Sequence, residues 1–246
     1  MIRVAAAWLV HIFTALGSVC ALLAALDVVD GRLERAFAWL FLALVIDAVD
    51  GAFARAVRVT EVLPRFSGER LDLVIDYATY VLIPVMAMLI GGVLEGVGGR
   101  FLAALALLSA LYHFADTESK ADDNCFVGFP AVWNIVAFFM FAINLKGALA
   151  AMVVAALVLL TFVPMRWLHP MRVKRLLAVN IGVSAAGVLA GLWVLWHGFP
   201  AGPVAGGLIV ASALYFLVLA CLWPWIGTEA GNGDQAGGTD SRTAAD

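Results

Sequence analysis

Asp47-Ala48-Val49-Asp50-Gly51-Ala52-Phe53-Ala54-Arg55, a twelve-residue spacer from Ala56 to Ser67, and Gly68-Glu69-Arg70-Leu71-Asp72-Leu73-Val74-Ile75-Asp76 form the stretch on which the fold turns. On a helix, positions 47, 50, 51, 54 and 55 share one face, and so do 68, 72 and 76. Two adjacent helices can then point four carboxylates at one another. An ionised side chain at membrane depth costs roughly 2.5–3.5 kcal/mol on insertion scales, so acids placed there mark functional sites. Four together repel unless cations sit between them, and carboxylates are natural ligands of Mg²⁺ and Mn²⁺.

The sequence around this stretch is that of an integral membrane protein. Of its 246 residues, 64% are hydrophobic and 13% charged, with a mean hydropathy of +0.99. Soluble domains average about 45–50% apolar and about 25% charged. The net charge of −3 comes without a basic arm, so nucleic acid is not an expected partner. Cys20, Cys125 and Cys221 lie far apart without a C-x-x-C spacing, which implies no disulfide framework. The long apolar run after Arg3 lacks a small-residue cleavage site and reads as a retained first helix.

Apolar periodicity and punctuation predict an all-α, polytopic transmembrane bundle of about eight helices: roughly 8–26, 36–57, 71–94, 100–115, 130–145, 149–165, 177–196 and 204–223. Asp27 to Arg35 reads as a polar loop, and Pro130 suits the first turn of the fifth helix. Residues 1–226 form one membrane domain, and 227–246 read as a disordered tail of low apolar content. An even number of spans puts both termini on one side. That side carries Arg3, Arg55, Arg58, Arg65, Arg70, Lys120, Arg166, Arg172, Lys174 and Arg175; the other carries Arg32, Arg35, Arg100 and Lys146. The positive-inside rule therefore puts the termini and the acidic motif at the cytoplasmic face of the membrane. Some of the basic residues also suit the anionic head group of a lipid substrate. His11 is given no role, and His113 and His169 read as interfacial.

The acidic stretch resembles the signature of the CDP-alcohol phosphotransferase family, D-x-x-D-G-x-x-A-R, a spacer, then G-x-x-x-D-x-x-x-D. Asp47, Asp50, Gly51, Ala54, Arg55, Gly68, Asp72 and Asp76 fill every fixed position, although the spacer is longer than usual. The resemblance implies that Asp47, Asp50, Asp72 and Asp76 hold two Mn²⁺ or Mg²⁺ ions, and that Asp76 is the general base. It implies that Asp50, Gly51, Ala54, Arg55 and Gly68 contact the CDP-linked substrate. Glycine and alanine at these positions also suit close helix packing, and Arg55 can fork onto phosphate.

A second block, Asp122-Asp123-Asn124-Cys125-Phe126-Val127-Gly128-Phe129-Pro130-Ala131-Val132-Trp133-Asn134, is similar to one in the family's bacterial phosphatidylcholine synthase branch. That branch implies transfer of the phosphatidyl group from CDP-diacylglycerol to choline with release of CMP, among membrane lipid and in a homodimer. A quaternary ammonium is held by aromatic faces and nearby negative charge. The candidates are Tyr77, Tyr80, Tyr112, Glu118, Asp122, Asp123, Phe126, Trp133 and Asn134, though interfacial belts use the same residue types. The rival enzyme is another CDP-alcohol phosphatidyltransferase such as phosphatidylserine synthase. The rival of another class is a cation-coupled transporter, against which the clustering of the acids near one face and the absence of an internal repeat both speak.

Overall fold

The computed structural model describes residues 1–119, 125–168 and 176–226. Asp122, Asp123, Lys120, His169, Arg172, Lys174, Arg175 and the tail 227–246 therefore lie outside the described residues. All eight apolar segments are helical. They are α1 (Ile2–Val29), α2 (Leu33–Val57), a compound third helix, α6 (Gly96–Ala115), α7 (Trp133–Ala142), α8 (Gly147–Thr161), α9 (Leu177–His197) and α10 (Pro203–Ile226). The compound helix consists of α4 (Gly68–Asp76), a π-helical segment (Tyr77–Leu82) and α5 (Ile83–Ile90), and a single-turn α3 (Val59–Val62) precedes it. Six of these helices are long and apolar enough to cross a membrane. The other two, α7 with 10 residues and α8 with 15, rise only about 15 and 22 Å at 1.5 Å per residue. The described residues thus form a multi-pass membrane bundle of six long apolar helices and two shorter ones.

Helix boundaries differ from the sequence expectation where tertiary partners intervene. The first helix runs through Asp27, whose buried carboxylate accepts from Arg32 Nε at 2.8 Å and Trp39 Nε1 at 3.1 Å. The expected loop shrinks accordingly. Pro130 does not open the fifth helix, which begins only at Trp133. The preceding residues instead form β1 (Cys125–Val127), paired antiparallel with β2 (Arg166–Leu168). Gly128 turns the chain out of this ribbon at φ +78°, and a Cβ there would stand 2.3 Å from the Thr161 carbonyl oxygen. Sequence periodicity could not reveal a ribbon whose strands lie some forty positions apart.

The long spacer is accommodated by α3. Arg58 ends α2 in the left-handed region at φ 54°, Val59 tucks against Ala7 and Val10, and the Ser67 hydroxyl accepts from the Arg70 N–H to start α4. The main core joins α1, α2, the third helix, α6, α7 and α8 through Ala24, Phe37, Met88, Ala106, Trp133, Ala137 and Val154. Its many alanines let backbones approach closely, which is how membrane helices gain packing energy. Helices α9 and α10 join through a second cluster of Ala142, Ala190, Val194, Ala205 and Ile209.

Helix α1 packs along α2 and also touches α4. Gly17 makes the second contact possible, since a Cβ there would lie 2.7 Å from Ile75 Cγ2. Gly17→Val is expected to lower stability by roughly 1–3 kcal/mol, as overpacking of a core does. Thermal unfolding in detergent checks this, and an unchanged midpoint would disprove the tight approach of α1 to α4.

Candidate active site

Two helices and one corner bring the acids together. Asp47 and Asp50 lie one turn apart near the end of α2, and Asp72 lies one turn into α4. One carboxylate oxygen from each can lie within 4.8 Å of the other two. Asp50 is buried at 8% exposure, while Asp47 and Asp72 are half-buried. Asp76 stands outside this trio, one turn beyond Asp72. Both Asp72 and Asp76 lie within electrostatic range of the Tyr80 hydroxyl.

The trio fits a divalent cation on its own chemistry. All its donors are carboxylate oxygens, the hard ligands that Mg²⁺ and Mn²⁺ take. Their closeness also makes mutual repulsion costly without a positive charge. No ion is part of the structure, so the trio defines which residues are suited to hold one.

Two further side chains reach the trio, and the signature contains neither of them. The Thr14 hydroxyl, on α1, donates to Asp50 Oδ2 at 2.7 Å. The Tyr80 hydroxyl, in the π-helical segment, donates to Asp47 Oδ2 at 2.7 Å. The position of Tyr80 one turn after Asp76 was a signal available in the sequence. The role of Thr14 was not, because it depends on how α1 docks.

The remaining candidates divide by environment. Arg55 is exposed and folds back along α2, its Nη1 standing 3.3 Å from where a Gly51 Cβ would be. Gly68 sits against the buried His11 ring, with Cε1 at 3.1 Å from a Cβ placed there. Trp8 and Phe66 pack edge-on and His11 tilts against Phe66, so His11 belongs to a packed aromatic group at the start of α4. Ala54 packs into the small cluster around Val59.

Among the acceptor-pocket candidates, Tyr77 donates weakly to the Leu107 carbonyl at 3.4 Å and begins a row of ring contacts through Phe114 and His113 to Phe126. Tyr112 is exposed and tilts against Phe162. Trp133 is fully buried edge-on to Phe129, and Asn134 turns its carbonyl onto the Ile135 N–H. Glu118 is exposed in the turn that Asp116 caps. The structure therefore brings Tyr77 and Phe126 into one row, joins Tyr80 to the acids, and sends Tyr112 and Trp133 to separate ring contacts.

No family model matches the chain, and no solved structure matches it. The chain is similar to a phosphatidylcholine synthase of Bradyrhizobium diazoefficiens, 42% identical over 211 residues, covering 86% of this chain and 79% of that protein. It is similar to that of Rhizobium meliloti, 42% identical over 214 residues, 87% of this chain and 88% of that one. A third, from Pseudomonas aeruginosa, is 40% identical over 224 residues, 90% of this chain and 93% of its own. The chain belongs to the phosphatidylcholine synthase family. It falls within the CDP-alcohol phosphotransferases, a family that generally uses a divalent metal.

The two signature glycines have different surroundings, so they separate packing from substrate contact. Among the described residues, the flexible tip of Arg55 is what lies near Gly51, whereas a ring wedged among other rings lies near Gly68. Gly51→Ala is expected to leave thermal stability unchanged and to cut turnover at least about tenfold, a loss of ~1.4 kcal/mol in the transition state. Gly68→Ala is expected to lower the unfolding midpoint. Parallel melting curves and initial rates check both, and a destabilised Gly51→Ala with normal turnover per folded molecule would reverse the assignment.

Proposed function

We propose that this chain joins the phosphatidyl group of CDP-diacylglycerol to choline and releases CMP. What carries this reading is identity of about 40% along most of the chain to several proteins named phosphatidylcholine synthase. The carboxylate trio supports it independently, because its donors suit the cation that such chemistry needs.

In this reaction the choline hydroxyl oxygen bonds to the phosphorus that carries diacylglycerol. The bond from that phosphorus to the bridging oxygen breaks, and CMP leaves with that oxygen and its electron pair. Asp76 takes the proton from the choline hydroxyl. Asp47, Asp50, Asp72 and Asp76 hold Mn²⁺ or Mg²⁺ as a pair of ions, which when bound neutralise the pyrophosphate and stabilise the leaving oxygen. Arg55, exposed at the end of α2, reaches the phosphates of the nucleotide. Gly51 and Ala54 keep that face of α2 shallow for it. The half-buried rings of Tyr77 and Phe126 offer faces to the trimethylammonium group, whereas the Trp133 ring is already enclosed by its neighbours.

Purified protein given labelled choline, CDP-diacylglycerol and Mn²⁺ is expected to form labelled phosphatidylcholine and equimolar CMP. Asp76→Asn is expected to abolish turnover while the protein still inserts and purifies normally. Product from serine but none from choline would move the chain to another branch. Activity of Asp76→Asn within about tenfold of wild type would remove Asp76 as the base.

We further propose that the trio and both termini face the cytoplasm of a bacterial inner membrane, because ten of the fourteen basic residues outside the distal tail, which carries Arg242, fall on that side by sequence. Nucleotide-activated lipid is then met at the leaflet facing the cell's CTP. An epitope fused after Asp246 is expected to resist protease in intact spheroplasts and to be cleaved after lysis. Cleavage before lysis would invert the topology.

A further inference from the structure

We propose that Tyr80 and Thr14 are positioning residues of the acidic cluster, one hydroxyl steering each of the two aspartates supplied by α2. This rests on the reading that the aspartates hold divalent ions. An ionised carboxylate is acceptor-only and has two oxygens with about four lone-pair directions. A hydroxyl donating to one oxygen stops the group from rotating and leaves the other oxygen for the centre of the cluster. Tyr80 does this to Asp47 Oδ2 and Thr14 does it to Asp50 Oδ2, each at 2.7 Å. Thr14 has one hydroxyl hydrogen, and the Val10 carbonyl, at 3.3 Å, is the more distant acceptor. Neither donor is on the helix of the aspartate it holds. Each therefore ties α2 to a different neighbour, Thr14 from α1 and Tyr80 from the third helix.

The third helix is shaped to deliver the Tyr80 hydroxyl. Pro84 lies four residues after Tyr80, so an unbroken α-helix would lose the bond to the Tyr80 carbonyl and drive the proline ring against it. The backbone instead widens into the π-helical segment Tyr77–Leu82, where the Ile83 N–H bonds to the Ala78 carbonyl five residues back. Such widenings recur at functional sites because they turn one side chain relative to the helix before it. Here the side chain so turned lies directly after Asp72 and Asp76 and points back at Asp47. A tyrosine serving only as a ring against an ammonium group would need no acceptor for its hydroxyl; this one has a carboxylate at 2.7 Å.

The test is a Mn²⁺ titration of purified, detergent-solubilised protein, following free Mn²⁺ by electron paramagnetic resonance. Tyr80→Phe, which keeps the ring and its volume, is expected to weaken Mn²⁺ binding about 10- to 100-fold, the usual effect of removing a partner of a metal ligand. Its KM for choline is expected to stay unchanged. Thr14→Val should weaken binding in the same direction, and Thr14→Ser, which restores a hydroxyl, should recover it. Pro84→Ala is expected to weaken binding although it leaves every oxygen in place, because the helix relaxes and swings Tyr80 away. Mn²⁺ affinity of Tyr80→Phe within about twofold of wild type would overturn the proposal. So would a raised KM for choline with unchanged Mn²⁺ affinity, which would make Tyr80 part of an aromatic cage. If wild-type protein binds no Mn²⁺, the metal reading falls and the positioning roles fall with it, an outcome separate from both of these.

Discussion

A carboxylate carried into a membrane must be stabilised there, and this chain does so in two different ways. At one end of the bundle Asp27 is buried against the guanidinium groups of Arg32 and Arg35 and the Trp39 indole. Its charge is cancelled on the spot, and what remains is a clasp between the first two helices. The two acids that α2 supplies to the cluster are treated differently. Asp47 and Asp50 each receive a neutral hydroxyl. A neutral donor satisfies one oxygen and fixes its direction, but it leaves the net negative charge in place. Negative charge held in a poorly screened setting is what attracts a divalent cation.

Close packing makes that arrangement possible. Thr14 reaches Asp50 only because α1 lies tightly on both α2 and α4, and the second contact depends on the missing side chain at Gly17. The aromatic group of Trp8, His11 and Phe66 fills the wedge where α1 meets the start of α4. The single turn α3 and its buried Val59 hold the long spacer beneath the same end of α1. The lengthened spacer therefore extends the wall beside the acids and leaves their spacing along α2 and α4 unaltered.

Capture of a quaternary ammonium group, which donates no conventional hydrogen bond, needs aromatic surface that is not already spent. Trp133, although it belongs to the second sequence block, is enclosed by Phe129 and the main core, so it stiffens the bundle. The ribbon of β1 and β2 and the turn at Gly128 carry the described part of that block past the Thr161 carbonyl toward α7. Tyr77 and Phe126 retain partly open rings on either side of Phe114 and His113.

The sequence by itself determined the membrane class and the helical segments, and it pointed to Asp47, Asp50, Asp72 and Asp76 as one acidic cluster, of which the structure groups the first three within 4.8 Å. Hydropathy is a local sum over consecutive residues, and the spacing of Asp47, Asp50 and Asp72 fixes which helix face each occupies. It also carried the family signature, since every fixed position of that motif lies within two short helical stretches. Only the tertiary structure decided that Thr14 and Tyr80 serve the acids, that Gly17 admits α1, that Trp133 is core, and that Asp27 is a clasp. Each of these depends on a contact between segments distant in the chain, and periodicity along one helix carries no information about which neighbour lies against it. The π-helical turn lies between the two cases. Pro84 lacks the N–H for a regular bond in the third helix, but the reading of 71–94 as one span did not use it, and only the packed bundle set the widened turn that aims Tyr80 at Asp47.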